Sequence, residues 1–127
     1  MNPHLHNVED FQRIMFGFEP PESPTLAGKE MGLFRVKLLQ EELDELKEAI
    51  EKDDLIEVGD ALGDLQYLLN GTVLYYGLQK KWSDIQFEIH RSNMTKIKDG
   101  KVTYREDGKV IKPDTFVPPK LKEIIYA

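Results

Sequence analysis

The sequence predicts an all-α fold: a bundle of four main helices per subunit, followed by a short C-terminal β-hairpin and an extended tail. Apolar residues recur at spacings of three and four through most of the chain up to residue 98, which is the period of a helix with one buried face. Alternation typical of strands occurs only around Asp107-Gly108. The 127 residues suffice for one domain with its own core. We therefore predict a single domain over residues 1–127, with its core at about 7–98 and the hairpin and tail at about 101–127.

The first helix is predicted from about Asn7, which can cap it, to Phe16. Three prolines between residues 20 and 24 then forbid helix and form a stiff connector. This connector can cover a site, pack on a partner or serve as a plain linker.

The two longest helices are predicted to follow, the second from near residues 28–31 to 51 or 52 and the third from about 55 to 78. Asp53 and Asp54 interrupt the helical pattern between them, and Asp54 stands in capping-box spacing to Glu57. Because the turn is short, these two helices should pack antiparallel. Their hydrophobic backs favour a homodimer or homotetramer, since a bundle this small gains core by pairing.

The fourth helix is predicted to begin at Ser83, which forms a capping box with Gln86, and to end near residues 97–100. The segments 101–104 and 109–111 then alternate in polarity on either side of a turn, which predicts the β-hairpin. Prolines in the last fifteen residues predict an extended tail.

The composition excludes several functional classes. The net charge of −6 argues against a nucleic-acid polymer as partner, because such proteins need a basic surface. There is no run of about 18 apolar residues, so no membrane span is expected. The N-terminus lacks the pattern of a signal peptide, and cysteine is absent, which agrees with a cytoplasmic protein without disulfide or thiolate chemistry.

The second predicted helix carries the first acidic cluster, Glu41-Glu42-x-x-Glu45. Leu38 and Leu46 lie about 40° to either side of Glu42, which is therefore embedded in the apolar stripe. Glu42 and Glu45 are neighbours on the helix surface, so that both can point at one ion.

The third predicted helix carries the second cluster, Glu57-x-x-Asp60, extended by Asp64. These three acids span about 60° of arc, and Tyr67 continues the same face. Like charges this close repel unless a cation bridges them. A magnesium site is the leading interpretation, and a solvated acidic surface is the alternative.

The stretch from His90 to Lys96 is a second polar feature. Arg91, Asn93 and Lys96 can meet phosphates or a base, since asparagine both donates and accepts and lysine supplies a point charge. Alternatively, these basic residues only complement the dipole at the C-terminal end of the helix.

The two acidic clusters and the stretch from His90 to Lys96 together resemble the motifs of a known superfamily. Glu41-Glu42-x-x-Glu45 followed by Glu57-x-x-Asp60 resembles the signature of the all-α nucleoside triphosphate pyrophosphohydrolases, which include MazG proteins, dimeric dUTPases and phosphoribosyl-ATP pyrophosphohydrolases. The stretches Asp60-Ala-Leu-Gly-Asp64-Leu-Gln-Tyr67 and His90-Arg-Ser-Asn93-Met-Thr-Lys96 resemble the MazG-like branch. The similarity extends from about Phe11 to Lys112.

The resemblance implies a reaction and a set of roles. The reaction is Mg²⁺-dependent cleavage between the α- and β-phosphates, with Mn²⁺ as a possible substitute, giving a nucleoside monophosphate and pyrophosphate. The substrate would be a nucleotide such as dUTP or a non-standard deoxynucleoside triphosphate. By motif, Glu41 would hold or activate the attacking water, and the metal ligands would be Glu42, Glu45, Glu57 and Asp60. Asn93 and Lys96, with Asp64 and Tyr67, would contact the substrate, although either Glu57 or Asp64 can complete the metal shell.

Two other functions remain open. The first is a non-catalytic helical interaction module whose acids bind a structural cation or a basic partner. The second is a phosphoribosyl-ATP pyrophosphohydrolase. Mg²⁺-dependent turnover separates an enzyme from the interaction module, and product analysis separates the two enzymes.

Overall fold

A computed structural model describes residues 2–127, and over this range the protein is helical. The helices are α1 (Pro3–Phe16), α2 (Lys29–Glu51), α3 (Leu55–Tyr75), α4 (Trp82–Met94) and the single turn α5 (Lys122–Ile125). The predicted all-α class with four main helices is confirmed. No helix in the described range is both long and apolar enough to cross a membrane. The chain forms two compact units, the first ending at Lys80 and the second beginning at Lys81.

Helix α1 begins earlier than predicted. Asn2 is its N-cap and accepts a hydrogen bond of 2.9 Å from the Leu5 amide, and Pro3 occupies the first turn. Because proline is favoured at this position and asparagine is a strong cap, helix can start before Asn7, which lies inside it. Gly17 ends the helix in the left-handed conformation, with φ of 63°.

Helices α2 and α3 form the predicted hairpin. Asp53 turns the chain with φ of 54°, and the Asp54 side chain caps α3 by accepting a bond of 3.2 Å from the Glu57 amide. Helix α3 ends at Tyr75, three residues before the predicted end, because Gly77 adopts a left-handed φ of 62°.

In the first unit, α3 packs against both α1 and α2. The buried apolar side chains are few and come from all three helices: Leu5, Val8, Ala49, Ala61, Val73 and Leu74. Many apolar side chains on α2 and α3 remain exposed, among them Leu33, Phe34, Leu43, Ile50, Leu55, Ile56 and Leu62.

The proline-rich connector lies against the C-terminal end of α3. The Thr25 amide donates to the Tyr76 carbonyl at 3.0 Å, and the Gln79 side-chain amide donates to the Pro21 carbonyl at 2.9 Å. Phe18 stacks on Tyr75 with ring centroids 4.1 Å apart. These contacts hold the connector on its own unit.

The second unit holds α4, the tail and α5. Helix α4 begins at Trp82 with Lys81 in the cap position, so Ser83 lies inside the first turn and no side-chain cap forms. The predicted capping box is therefore wrong, as is the predicted end at residues 97–100, since the helix ends at Met94. The tail is tied to α4 by Ser92 Oγ, which donates to the Val117 carbonyl at 2.8 Å.

The predicted C-terminal β-hairpin does not form regular strands. Within the described residues only isolated antiparallel bridges occur there, Lys98 with Lys101 and Tyr104 with Val110. The chain does reverse direction at Gly108, whose φ is 90°. Pro113 follows closely and has no amide hydrogen to extend the pairing, which limits the ladder to these bridges.

Candidate metal centre

Three carboxylates from two helices converge in the first unit. Glu42 and Glu45 of α2 and Asp64 of α3 each offer an oxygen, and these oxygens lie within 4.8 Å of one another. Spacing along α2 makes the two glutamates neighbours, and the antiparallel α2–α3 hairpin brings Asp64 beside them. The predicted pairing of the two acidic clusters is thereby realised for these residues.

Glu42 is the member of the cluster whose carboxylate has a buried oxygen without a hydrogen-bond partner within residues 2–127. The side chain is half-buried, and this oxygen is Oε2. Burial raises the pKa of Glu42 to about 7, helped by a hydrogen bond with Glu45 and by the charges of Asp64, Glu45 and Asp60. An unpaired buried carboxylate is costly, so Glu42 favours either a proton or a cation.

Beside this cluster lies an open cleft of ≈ 460 Å³ between α2 and α3. Its acidic lining includes Glu45, Glu57 and Asp60, and its remaining wall is formed by Glu48, Ala49, Lys52 and Asp54. Glu45 therefore belongs both to the carboxylate cluster and to the cleft. Of the four predicted metal ligands, Glu42 and Glu45 belong to the carboxylate cluster. Glu57 and Asp60 do not belong to it and share only the wall of the open cleft with Glu45.

The carboxylates fit a hard divalent cation such as Mg²⁺. Oxygen ligands of Mg²⁺ lie at about 2.0–2.1 Å in octahedral geometry, so two ligand oxygens are at most about 4.2 Å apart. The three clustered oxygens lie within 4.8 Å of one another, which is near enough for their side chains to converge on one ion. Glu42 Oε2 has no hydrogen-bond partner among the described residues, so this oxygen is free to serve as a metal ligand.

The other predicted residues of the first unit have distinct surroundings. Glu41 is exposed and adjoins Glu42 on α2. Asp64, predicted to contact substrate, lies among the candidate ligands instead. Tyr67 packs its ring edge-to-face against Phe11 of α1 with centroids 5.5 Å apart, which shows a packing role for this side chain.

Asn93 and Lys96 belong to the second unit. Asn93 is exposed near the end of α4. The Lys96 ammonium lies 6.0 Å from the centroid of the Phe116 ring, and its side chain lines a pocket with Lys98 and Lys101.

Sequence reasoning missed Arg35, which connects α2 to α3 seven residues before Glu42. Its side chain is buried, and it donates to the Leu68 carbonyl at 2.8 Å and to Thr72 Oγ1 at 3.1 Å. Burial lowers the pKa of Arg35, and its guanidinium lies 5.3 Å from the Tyr75 ring centroid. A signal was present, because Arg35 stands seven residues before Glu42 and so falls on the same apolar stripe.

Comparison with known protein families gives one match. The sequence model of a family described as phosphoribosyl-ATP pyrophosphohydrolase matches residues 8–93, more than half of the chain. The matched span contains both acidic motifs, and it includes Asn93 but ends before Lys96. No curated protein matches the sequence.

Proposed function

The chain belongs to the phosphoribosyl-ATP pyrophosphohydrolase family, within the MazG-like nucleotide pyrophosphohydrolase superfamily, and we propose that it hydrolyses a nucleoside triphosphate to the monophosphate and pyrophosphate with Mg²⁺. Membership indicates a pyrophosphohydrolase, an enzyme that acts on acid anhydrides. The observation that carries the proposal for this chain is the convergence of Glu42, Glu45 and Asp64, with one Glu42 oxygen left without a partner.

We propose that Glu42, Glu45 and Asp64 hold one Mg²⁺, and that Glu57 and Asp60 on the adjoining cleft hold a second with Glu45. When bound, Mg²⁺ supplies charge neutralisation for the phosphates and polarises the attacking water. The proposed ligands present this charge on one side of the α2–α3 hairpin. This arrangement favours a role for Asp64 as a metal ligand over a role in substrate contact alone.

Glu41 is proposed to hold the attacking water. It is exposed and directly precedes Glu42 on α2. The water oxygen forms a bond to the α-phosphorus, and the bond from that phosphorus to the bridging oxygen breaks. Pyrophosphate leaves with the electron pair, and the proton of the water passes to Glu41 or to solvent.

Asn93 and Lys96 are proposed to contact the nucleotide, through amide hydrogen bonds and a point charge respectively. The substrate is proposed to be dUTP or a non-standard deoxynucleoside triphosphate. Phosphoribosyl-ATP is a second candidate, favoured by the description of the matching family. We also propose a cytoplasmic location, where free nucleotides and Mg²⁺ occur.

A homodimer or homotetramer is proposed as the functional form. The support is the set of exposed apolar side chains on the hairpin helices, with Leu55 81% and Ile56 83% exposed in the single chain. Side chains of this kind at such exposure favour burial against a partner surface.

The test is pyrophosphate release from a panel of substrates with Mg²⁺ or with EDTA. The panel contains canonical and deoxy nucleoside triphosphates, dUTP and phosphoribosyl-ATP. We expect Mg²⁺-dependent release from one or a few of them, abolished by EDTA. Absence of release across the panel at high enzyme concentration would overturn the proposal.

A further inference from the structure

The second unit has a pocket of ≈ 340 Å³ whose polar lining is mostly lysine. Lys96, Lys98 and Lys101 all line it, and Asp99, Thr103, Ile111 and Pro113 complete the wall. Lysine ammonium groups are point charges with three donors each, so their convergence on one pocket suits an anion with several oxygens.

The backbone places two of these lysines directly opposite each other. Asp99 and Gly100 form a tight turn, with φ of 52° and 71°. Lys98 and Lys101 flank this turn and exchange two backbone hydrogen bonds, of 3.0 Å and 2.9 Å. Directly opposed like charges destabilise such a pair unless something neutralises them.

Neutralisation from within the chain is incomplete. Lys98 pairs with Asp114 at 2.6 Å, and Asp99 stands at the edge of the pocket. Among the described residues, neither Lys96 nor Lys101 has a carboxylate within 4.0 Å. Residues 96–120 include seven lysines or arginines and four acids, a net charge of +3, whereas the whole chain carries −6. The pocket is therefore a basic region in an acidic protein.

We propose that this pocket binds the polyphosphate chain of the nucleotide substrate. The proposal rests on the proposed function for the identity of the ligand, and it adds Lys98, Lys101 and Thr103 to the substrate-binding residues. The lysines donate charge-assisted hydrogen bonds to phosphate oxygens, and the Thr103 hydroxyl can donate one more.

The first experiment measures binding of inorganic tripolyphosphate to the full-length protein by calorimetry in EDTA, so that the proposed metal site does not contribute. The double variant Lys98→Gln/Lys101→Gln is compared with Lys109→Gln/Lys122→Gln, which removes the same charge from exposed positions outside the pocket. We expect the pocket variant to bind about tenfold more weakly, equivalent to about 1.4 kcal/mol. The control variant should remain within about twofold of the unmodified protein, since exposed charges outside the pocket are screened by salt.

Equal binding by both double variants, or no binding to the unmodified protein without metal, would overturn the pocket assignment. Failure of the proposed function gives a different result. In that case tripolyphosphate binding still depends on Lys98 and Lys101, but no substrate is hydrolysed. If the enzyme is active, the pocket variant should raise KM with little change in kcat, because these lysines bind the unreacted chain and its transition state alike.

Discussion

Glu88 of the second unit and Glu42 of the first have opposite electrostatic surroundings. Glu88 on α4 accepts two bonds of 2.7 Å from Arg91 and one of 2.6 Å from the Lys120 amide, and the pKa of Glu88 falls to about 2. Glu42 on α2 has acids as its charged neighbours, and the pKa of Glu42 rises to about 7. A carboxylate that the fold already satisfies is structural, whereas one that the fold leaves unsatisfied is suited to a cation.

Cations show the same contrast. Arg35 in the first unit is buried and donates to neutral oxygens of α3. In the second unit Lys98 and Lys101 face each other at a turn and are only partly paired. Both units therefore hold unsatisfied charge, of opposite sign, at the places where we propose that metal and phosphate bind.

The largest expected effect comes from replacing two proposed metal ligands of the first unit. The variant Glu42→Gln/Glu45→Gln should stay folded and lose about 1,000-fold in kcat/KM, since a bound metal supplies several kcal/mol and each 1.36 kcal/mol is tenfold. Turnover is followed by pyrophosphate release, and folding by circular dichroism. Glu51→Gln on the same helix is the control and should be fully active. Undiminished Mg²⁺-dependent activity of the double variant would refute the metal centre.

A substitution at Asp64 tests whether this residue binds the metal or contacts the substrate. Asp64→Asn should weaken Mg²⁺ binding by about 100-fold or more, since loss of a direct ligand should cost at least as much as the loss of an outer-shell partner of a ligand. Mg²⁺ affinity is measured by calorimetry without nucleotide, with exposed Asp44→Asn as the matched control. Unchanged metal affinity together with a raised nucleotide KM would return Asp64 to substrate binding.

Arg35 tests whether the two helices need their buried cation. Arg35→Ala should lower the free energy of unfolding by about 2 kcal/mol or more, since it removes two hydrogen bonds from a charged donor and leaves a cavity. Arg35→Lys keeps the charge but loses the planar fork, and it should cost less. Urea denaturation of the metal-free protein gives both values. Equal stability of Arg35→Ala and the unmodified protein would show that the α2–α3 contact does not depend on this residue.

The smallest expected effect is on the pH dependence of the free energy of unfolding, to which Glu42 and Glu88 contribute with opposite signs. Because the pKa of Glu42 is about 7 in the folded protein and 4.5 is its ordinary value, the folded state binds the extra proton, and metal-free stability should fall as pH rises from about 4.5 to 7. Glu42→Gln should remove this loss. The pKa of Glu88 is lowered to about 2, so its contribution is present above about 4.5 and is lost as pH falls towards 2.

Urea denaturation at several pH values between 3 and 8, in EDTA, checks both signs. Glu88→Gln should flatten the acid side of the stability profile and leave the rise between pH 7 and 5 intact. A Glu42→Gln profile that matches the unmodified protein would show that this carboxyl group does not carry the raised pKa.

Most of the helical framework followed from local sequence. The α2–α3 hairpin was predicted closely because Asp53 and Asp54 act within a few residues of the turn they form. The predicted start of α1 and the predicted cap of α4 were wrong, because the N-cap residues are Asn2 and Lys81 instead of Asn7 and Ser83. Asn2 and Asn7 are caps of the same type, so the local sequence does not choose between them. Lys81 takes the cap position of α4 against the usual preference for serine, which the local sequence does not predict.

The sequence by itself determined which faces of α2 and α3 carry acids, since helical spacing places Glu42 and Glu45 together and leaves Asp64 in the same arc as Glu57. Only the tertiary structure decided which of these acids meet. Whether Asp64 or Glu57 lies beside Glu42 depends on the rotation and sliding of one helix against the other. Contacts between residues more than thirty positions apart, such as Arg35 with Leu68 and Thr72, settle that alignment, and no local pattern encodes them.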